Sequence, residues 1–231
     1  MKIDGDKHCL RVGCISTRKG LACLSRKSDC DWAEVRLDAL LKDGATLEQV
    51  ACALTFKTRR KPVLLTLRTK EEGGCYSWKR GERLALFLEL LPSADAVDVE
   101  LASVQELQPV LKEARRLKRK IILSAHALTN DLKPRQVNDL LKKFQRHQAD
   151  IYKIAVLCRE QSDLTVLAQA LVGHPSLPLA VMAVGPMANL SRVILPALGS
   201  RLVYGYLDKP AAPNQPSIGE VAKQLDCLGV K

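Results

Sequence analysis

Apolar and polar residues along this chain follow two periods, and the two take turns. Short β-rich runs span Leu10 to Ser16, Trp32 to Leu37, Val63 to Leu67, Ala96 to Leu101, Ile121 to Ser124, Ile151 to Leu157, Leu179 to Ala183 and Leu202 to Tyr206. Between and after them the pattern becomes that of amphipathic helices, at Thr46 to Phe56, Gly81 to Leu91, Val104 to Leu117, Pro134 to His147, Leu164 to Leu171, Ala188 to Leu198 and Ser217 to Leu228. Strands alternating with helices predict parallel β-α-β units, because a parallel neighbour is reached only by a crossover of about a dozen residues or more. Eight strands without a Gly/Ser-rich linker or a break in composition predict one domain over residues 1–231. Eight repeats in this length fit a closed (β/α)8 barrel. An open doubly wound sheet would carry a glycine-rich phosphate turn after its first strand, and Cys14-Ile15-Ser16-Thr17-Arg18 is not one.

Composition narrows the class. The chain has 231 residues, 47% of them hydrophobic, 26% charged and 4% aromatic, so it is long enough to bury a core without metal or disulfide staples. Its eight cysteines include no C-x-x-C pair, and no stretch of about 18 uncharged apolar residues occurs. Met1 to His8 lacks the apolar segment of a leader, so a cytoplasmic protein with reduced thiols, away from any membrane, is expected. The net charge of +11 raises anionic partners. Much of the surplus sits in Lys57-Thr58-Arg59-Arg60-Lys61 and Arg115-Arg116-Leu117-Lys118-Arg119-Lys120, which have no interleaved aromatics on which bases could stack, and nucleic acid is not the expected partner.

Charges inside the strand runs carry the chemistry. Barrel strands are covered on both faces, so a charge there is costly unless paired or directed into a site. Glu34, Arg36 and Asp38 alternate with apolar residues; Thr66 pairs in parity with Arg68, Asp98 with Glu100, and Ser124 with His126, while Lys153 shares parity with Ile151 and Ala155. These positions gather toward the C-terminal strand ends, where barrel active sites are built. The convergence of Glu, Arg, Asp, His and Lys reads as an enzyme for a small, anionic, hydroxylated molecule. Lys153, in the apolar run Asp150-Ile151-Tyr152-Lys153-Ile154-Ala155, is expected to be a neutral amine through desolvation and positive neighbours, as a Schiff-base nucleophile requires. His126 is the candidate acid and base, titrating near its ordinary pKa; His8, His147 and His174 receive no role.

At this point the sequence resembles the type I 3-dehydroquinate dehydratases over nearly its whole length. Glu34-Val35-Arg36-Leu37-Asp38 is similar to that family's E-x-R-x-D, Thr66 through Gly74 to its T-x-R-x-x-x-E-G-G, and Val97 through Leu101 to its V-D-x-E-L. Ser124-Ala125-His126 resembles the S-x-H of the catalytic histidine, and Asp150 through Ala155 the D-x-x-K-I-A of the Schiff-base lysine. Met182, Gly185, Ser191-Arg192 and Gly199-Ser200 follow the C-terminal signature, and Ala212-Pro213-Asn214-Gln215 the closing loop's A-P-G-Q.

The resemblance implies syn loss of water from 3-dehydroquinate in the shikimate pathway, with Lys153 forming the imine and His126 transferring protons. It implies that Asp98 orients His126, that Arg192 binds the substrate carboxylate, and that Glu34, Arg36, Arg68 and Glu72 position the ring's polar groups. Met182 would pack against the ring and Gln215 would close over it. No metal or organic cofactor is implied, and a homodimer is. Departures are Ala127-Leu128 where an acidic residue and Phe are usual, Ala211 for Ser and Asn214 for Gly in the closing loop, and Ala188 for a Gly. The rivals are a lysine-dependent aldolase or transaldolase acting on a sugar phosphate, and a catalytically retired barrel that binds RNA.

Overall fold

The computed structural model describes residues 9–55, 57, 59–127, 134–211 and 215–230. His8, Phe56, Thr58, Leu128 and the stretch Ala212-Pro213-Asn214 lie outside the described residues. Eight strands, β1 (Leu10–Ile15), β2 (Trp32–Arg36), β3 (Val63–Thr66), β4 (Ala96–Glu100), β5 (Lys120–Ala127), β6 (Ile151–Leu157), β7 (Leu179–Val184) and β8 (Leu202–Tyr206), form one parallel sheet in the order β7-β6-β5-β4-β3-β2-β1-β8. Helices α1 (Leu37–Lys42), α2 (Leu47–Leu54), α3 (Glu82–Leu90), α4 (Gln108–Arg116), α5 (Pro134–Phe144), α6 (Gln161–Gly173), α7 (Ala188–Ala197) and α8 (Ile218–Cys227) fill the crossovers, except between β1 and β2, where a 3-10 turn at Lys19–Ser25 serves. The result is the expected (β/α)8 barrel, nearly closed.

The seam lies between β7 and β8. The other neighbours share backbone ladders, whereas here Arg201 N donates to Leu179 O at 2.7 Å and Val181 N donates to the Ser200 hydroxyl at 3.0 Å. A side chain thus satisfies an amide that a strand neighbour would otherwise take.

Strand alternation divides the core in two. Outward residues such as Val35, Leu65, Val97, Leu123, Ile154 and Val181 meet the helices in one continuous apolar layer. Each fully buried Val, Leu or Ile contributes roughly 1.5–3 kcal/mol through lost water contact. Inward residues Val12, Trp32, Leu64, Ala96, Ile122, Ile151, Ala180 and Leu202 close the barrel floor. Two residues further along each strand, the same face carries Cys14, Glu34, Thr66, Asp98, Ser124, Lys153, Met182 and Tyr204.

Element ends depart from expectation in instructive ways. The strand β2 stops at Arg36, and Asp38 turns into the first turn of α1 instead of continuing the alternating face. There its carboxylate takes both Nε (2.9 Å) and Nη2 (2.8 Å) of Arg36. Burial works against that charge, but the guanidinium prevails and holds the Asp38 carboxyl below its ordinary range. β5 runs three residues past Ser124, carrying His126 inside the sheet. Among the described residues the eight cysteines are free, and no helix is long and apolar enough to cross a membrane.

Candidate active site

A cavity of about 190 Å³ opens above the floor. Lys153 and His126 line it, as do Glu34, Arg36, Arg68 and Glu72. Met182, Arg192 and Gln215 complete the expected set on its wall. Asp98 is not on the wall; it lies beneath, fully buried and in contact with Lys153. A larger groove of about 670 Å³ beside the 3-10 turn at Lys19–Ser25 and α2 shares no residue with this cavity.

Lys153 donates from Nζ to Asp98 Oδ2 at 2.8 Å and lies 3.8 Å from Glu34 Oε1. The other Asp98 oxygen accepts from the Ser124 hydroxyl at 2.5 Å and is 3.0 Å from Arg68 Nη2, while Arg68 Nη1 donates to Ser124 at 2.8 Å. Burial alone would weaken Asp98 as an acid, but Arg68 and then Lys153 outweigh it and hold the carboxyl well below the usual carboxylate range. Glu34 accepts from Thr66 Oγ1 at 2.9 Å and from Cys14 Sγ at 3.1 Å. The amine is therefore met by two carboxylates, where the sequence had suggested only desolvation and positive neighbours. Charged groups this buried survive because each is matched to an opposite charge or a hydrogen-bond partner.

His126 has different company from that expected. Its Nδ1 is 2.8 Å from Glu72 Oε2, so the carboxylate that orients the imidazole comes from the loop after β3, and Asp98 is occupied with Lys153, Ser124 and Arg68. Burial, followed by the cations Arg68 and Lys153, pushes His126 well below its ordinary pKa, which corrects the expectation of an unperturbed imidazole. Burial and then Glu100 raise Glu72 to about 7 against the pull of Arg68. A carboxylate at Nδ1 favours the tautomer protonated there, leaving Nε2 as the base.

Local backbone chemistry explains why Glu72 reaches this point. The 3-10 turn Lys70–Glu72 ends at Gly73 in the left-handed region, φ 87°, and Gly74 N returns to Thr69 O at 2.7 Å. A Cβ on Gly74 would lie 2.3 Å from Arg68 O, so both glycines are required. Thr69 N donates to Glu100 Oε1 at 2.8 Å. Arg83, which the sequence reading passed over, ties Leu67 O, Ser103 and Glu100 together at 2.8, 2.7 and 2.6 Å.

Arg192, on α7, donates from Nε to Tyr204 O at 2.8 Å and from Nη1 to Ala188 O at 2.7 Å. It has no carboxylate partner among the described residues, and burial lowers its pKa. A desolvated guanidinium held by carbonyls at a cavity wall is suited to an anionic ligand. Gln215 Oε1 accepts from Ala211 N at 2.7 Å at the cavity rim. Cys14, Thr66, Ser124 and Tyr204 belong to the same layer but had no assigned role in the sequence; their shared strand parity was the available signal. Among the described residues no cluster of three or more His, Cys, Asp or Glu could hold a metal ion.

Comparison with known proteins identifies the family to which this geometry belongs. A family model described as Type I 3-dehydroquinase matches residues 8–231. The chain belongs to the type I 3-dehydroquinase family. As a type I 3-dehydroquinase family member it is a hydro-lyase with its place in the shikimate pathway. It is 31% identical over 206 residues to the 3-dehydroquinate dehydratase of Enterococcus faecalis, covering 85% of this chain and 81% of that one. With the Methanosarcina barkeri 3-dehydroquinate dehydratase it shares 31% over 211 residues, 87% of each chain. Among solved structures, the type I 3-dehydroquinate dehydratase of Clostridium difficile with covalently modified comenic acid superposes with a TM-score of 0.83 at 26% identity, covering 97% of this chain and 93% of that one.

Proposed function

We propose that this chain dehydrates 3-dehydroquinate to 3-dehydroshikimate through an imine on Lys153. The observation that carries the reading is one cavity holding a buried amine, a partly buried imidazole tied to a carboxylate, and a guanidinium without an acidic partner among the described residues. In this reading Arg192 grips the substrate carboxylate while Glu34, Arg36 and Arg68 hold the ring's oxygens. Met182 packs against the ring, and Gln215 closes over it. The Lys153 ammonium gives one proton to His126 and the freed amine attacks the C3 carbonyl carbon; a second proton passes from nitrogen to the oxygen, and the carbinolamine hydroxyl so formed leaves as water with the proton His126 returns. The iminium draws electrons from C2, so His126 takes the C2 proton and the pair flows into an enamine. The enamine then expels the neighbouring hydroxyl, which leaves as water with the proton from His126. Water finally hydrolyses the imine, regenerating the amine; the substrate has lost one water overall. Asp98, below, holds the nitrogen and compensates its charge at the iminium stage.

Borohydride added with substrate or product is expected to reduce the imine and leave permanent added mass on the peptide containing Lys153. Peptide mass spectrometry reads it; full activity with no label, or a label on another lysine, rejects the reading. Sugar phosphates should leave no label, which separates this reading from the aldolase one.

A second expectation concerns pH. Glu72 gains its proton as pH falls through about 7 and then no longer accepts from Nδ1 as an anion. The kcat/KM of the free enzyme should therefore decline on the acid side with a midpoint near 7. Glu72→Gln, which accepts a hydrogen bond but does not titrate, should remove that limb. An unaltered limb in this variant would assign the titration elsewhere.

A further inference from the structure

The hydroxyl of Tyr204 is buried and has no hydrogen-bond partner among the described residues. Buried polar groups are almost always satisfied, so an unsatisfied one in the middle of a polar layer calls for a cause. The ring itself is well placed: Lys153 Nζ lies 4.4 Å from its centroid, a cation over an aromatic face. Backbone geometry is equally settled, because Tyr204 sits within β8 and its carbonyl holds Arg192 Nε.

The charged neighbours indicate what the hydroxyl is for. Asp98 keeps Arg68 and Ser124 even when Lys153 is subtracted. Glu34 does not fare as well. Its donors Thr66 and Cys14 are neutral, and Lys153, at 3.8 Å, is the cation within ion-pair distance of it among the described residues. The cycle proposed above requires Lys153 to become a neutral amine, and at that moment Glu34 would be a buried carboxylate with Arg36 and Arg68 acting on it only from beyond ion-pair distance, a state of raised free energy. An unused O–H in the same layer can offset that loss.

We infer that Tyr204 is a positioning residue, whose hydroxyl is held in reserve to donate to the Glu34 carboxylate when the Lys153 nitrogen loses its charge. This rests on the imine reading given above. The groups around the Lys153 nitrogen and this hydroxyl are Cys14 on β1, Glu34 and Arg36 on β2, Arg68 in the segment after β3, Asp98 on β4 and His126 on β5, with Arg192 of α7 on the cavity wall. Of Asp98 and Glu34, the two carboxylates that pair with Lys153, Glu34 is the one with no second cation within ion-pair distance among the described residues.

Tyr204→Phe tests this, since it keeps the ring beneath the amine and removes only the hydroxyl. The rate of borohydride labelling of Lys153 is followed against pH, together with kcat and KM. Without the reserve donor, Glu34 retains the ammonium more strongly, so the labelling midpoint should move upward by about 1 pH unit and kcat at neutrality should fall about tenfold, with KM within twofold. In a Glu34→Gln background the same change should leave the midpoint where it is, because the acceptor's charge is gone. Thermal unfolding of Tyr204→Phe should occur no lower than in the unaltered chain, as an unpaired hydroxyl contributes nothing to the resting fold.

An unmoved midpoint overturns the inference, and so does a loss confined to KM. A lowered unfolding temperature also overturns it, since the hydroxyl would then be engaged in the resting state. If the unaltered chain shows no label on Lys153, the imine reading falls and takes this inference with it. Labelling of the unaltered chain with an unshifted Tyr204→Phe removes this inference alone.

Discussion

Lys153→Ala is expected to lower turnover by roughly 10⁴-fold or more, the scale on which removal of a covalent nucleophile is felt. No other amine among the described residues of the cavity can take its place: the remaining cations on that wall, Arg36, Arg68 and Arg192, are guanidiniums, which stay protonated. The variant should still fold. Asp98 loses one of three partners but keeps the Ser124 hydroxyl at 2.5 Å and Arg68 at 3.0 Å, so its charge is not stranded. Steady-state formation of the enone product, read by its absorbance, gives the rate, and circular dichroism checks the fold. Turnover within tenfold of the original in a folded Lys153→Ala protein would end the covalent mechanism.

His126→Ala should separate imine formation from proton transfer. Loss of a positioned acid or base typically costs 10²- to 10⁴-fold, and here one imidazole serves both removal of the C2 proton and departure of the hydroxyl, so at least ~10²-fold is expected. Lys153 and its bond to Asp98 are untouched by the change, and borohydride should therefore still label the lysine, more slowly. Burial and the cations Arg68 and Lys153 favour the neutral imidazole, the form that can accept a proton, and the Glu72 contact fixes which nitrogen does so. Near-normal turnover would remove His126 from the mechanism; complete loss of labelling would place its main contribution at imine formation instead.

The barrel was readable in the sequence because eight β-rich runs alternate with amphipathic helical stretches, and the site because charges recur at a period of two within those runs. Of the inward positions that stood out by parity, Glu34, Asp98, Ser124 and Lys153 lie in one layer, with Arg36, Arg68 and His126 on the cavity above it, whereas Asp38 and Glu100 do not line that cavity. What parity does not contain is distance between strands. It shows that Asp98 and Glu72 are carboxylates near His126 and Lys153 without saying which pairs with which, and that choice is made by the turn at Gly73-Gly74, which swings Glu72 over the barrel mouth. The same blindness let the alternation of Glu34, Arg36 and Asp38 pass for a single strand, when a helix begins at Leu37 and turns Asp38 back onto Arg36. The depressed pKa of His126 was equally out of reach, since it arises from burial and from Arg68 and Lys153, which arrive from the segment after β3 and from β6.

The incomplete joint between β7 and β8 has a mechanical consequence. A cylinder closed by backbone ladders everywhere but along one line is most compliant along that line, and here the line is crossed by the Arg201 and Ser200 bonds and by the α7 connection. Arg192 grows from that helix yet fastens to the Tyr204 carbonyl on β8. An anion clasped by this arginine would pull both edges of the slit together, so that the arrival of the ligand stiffens the staves beside the amine.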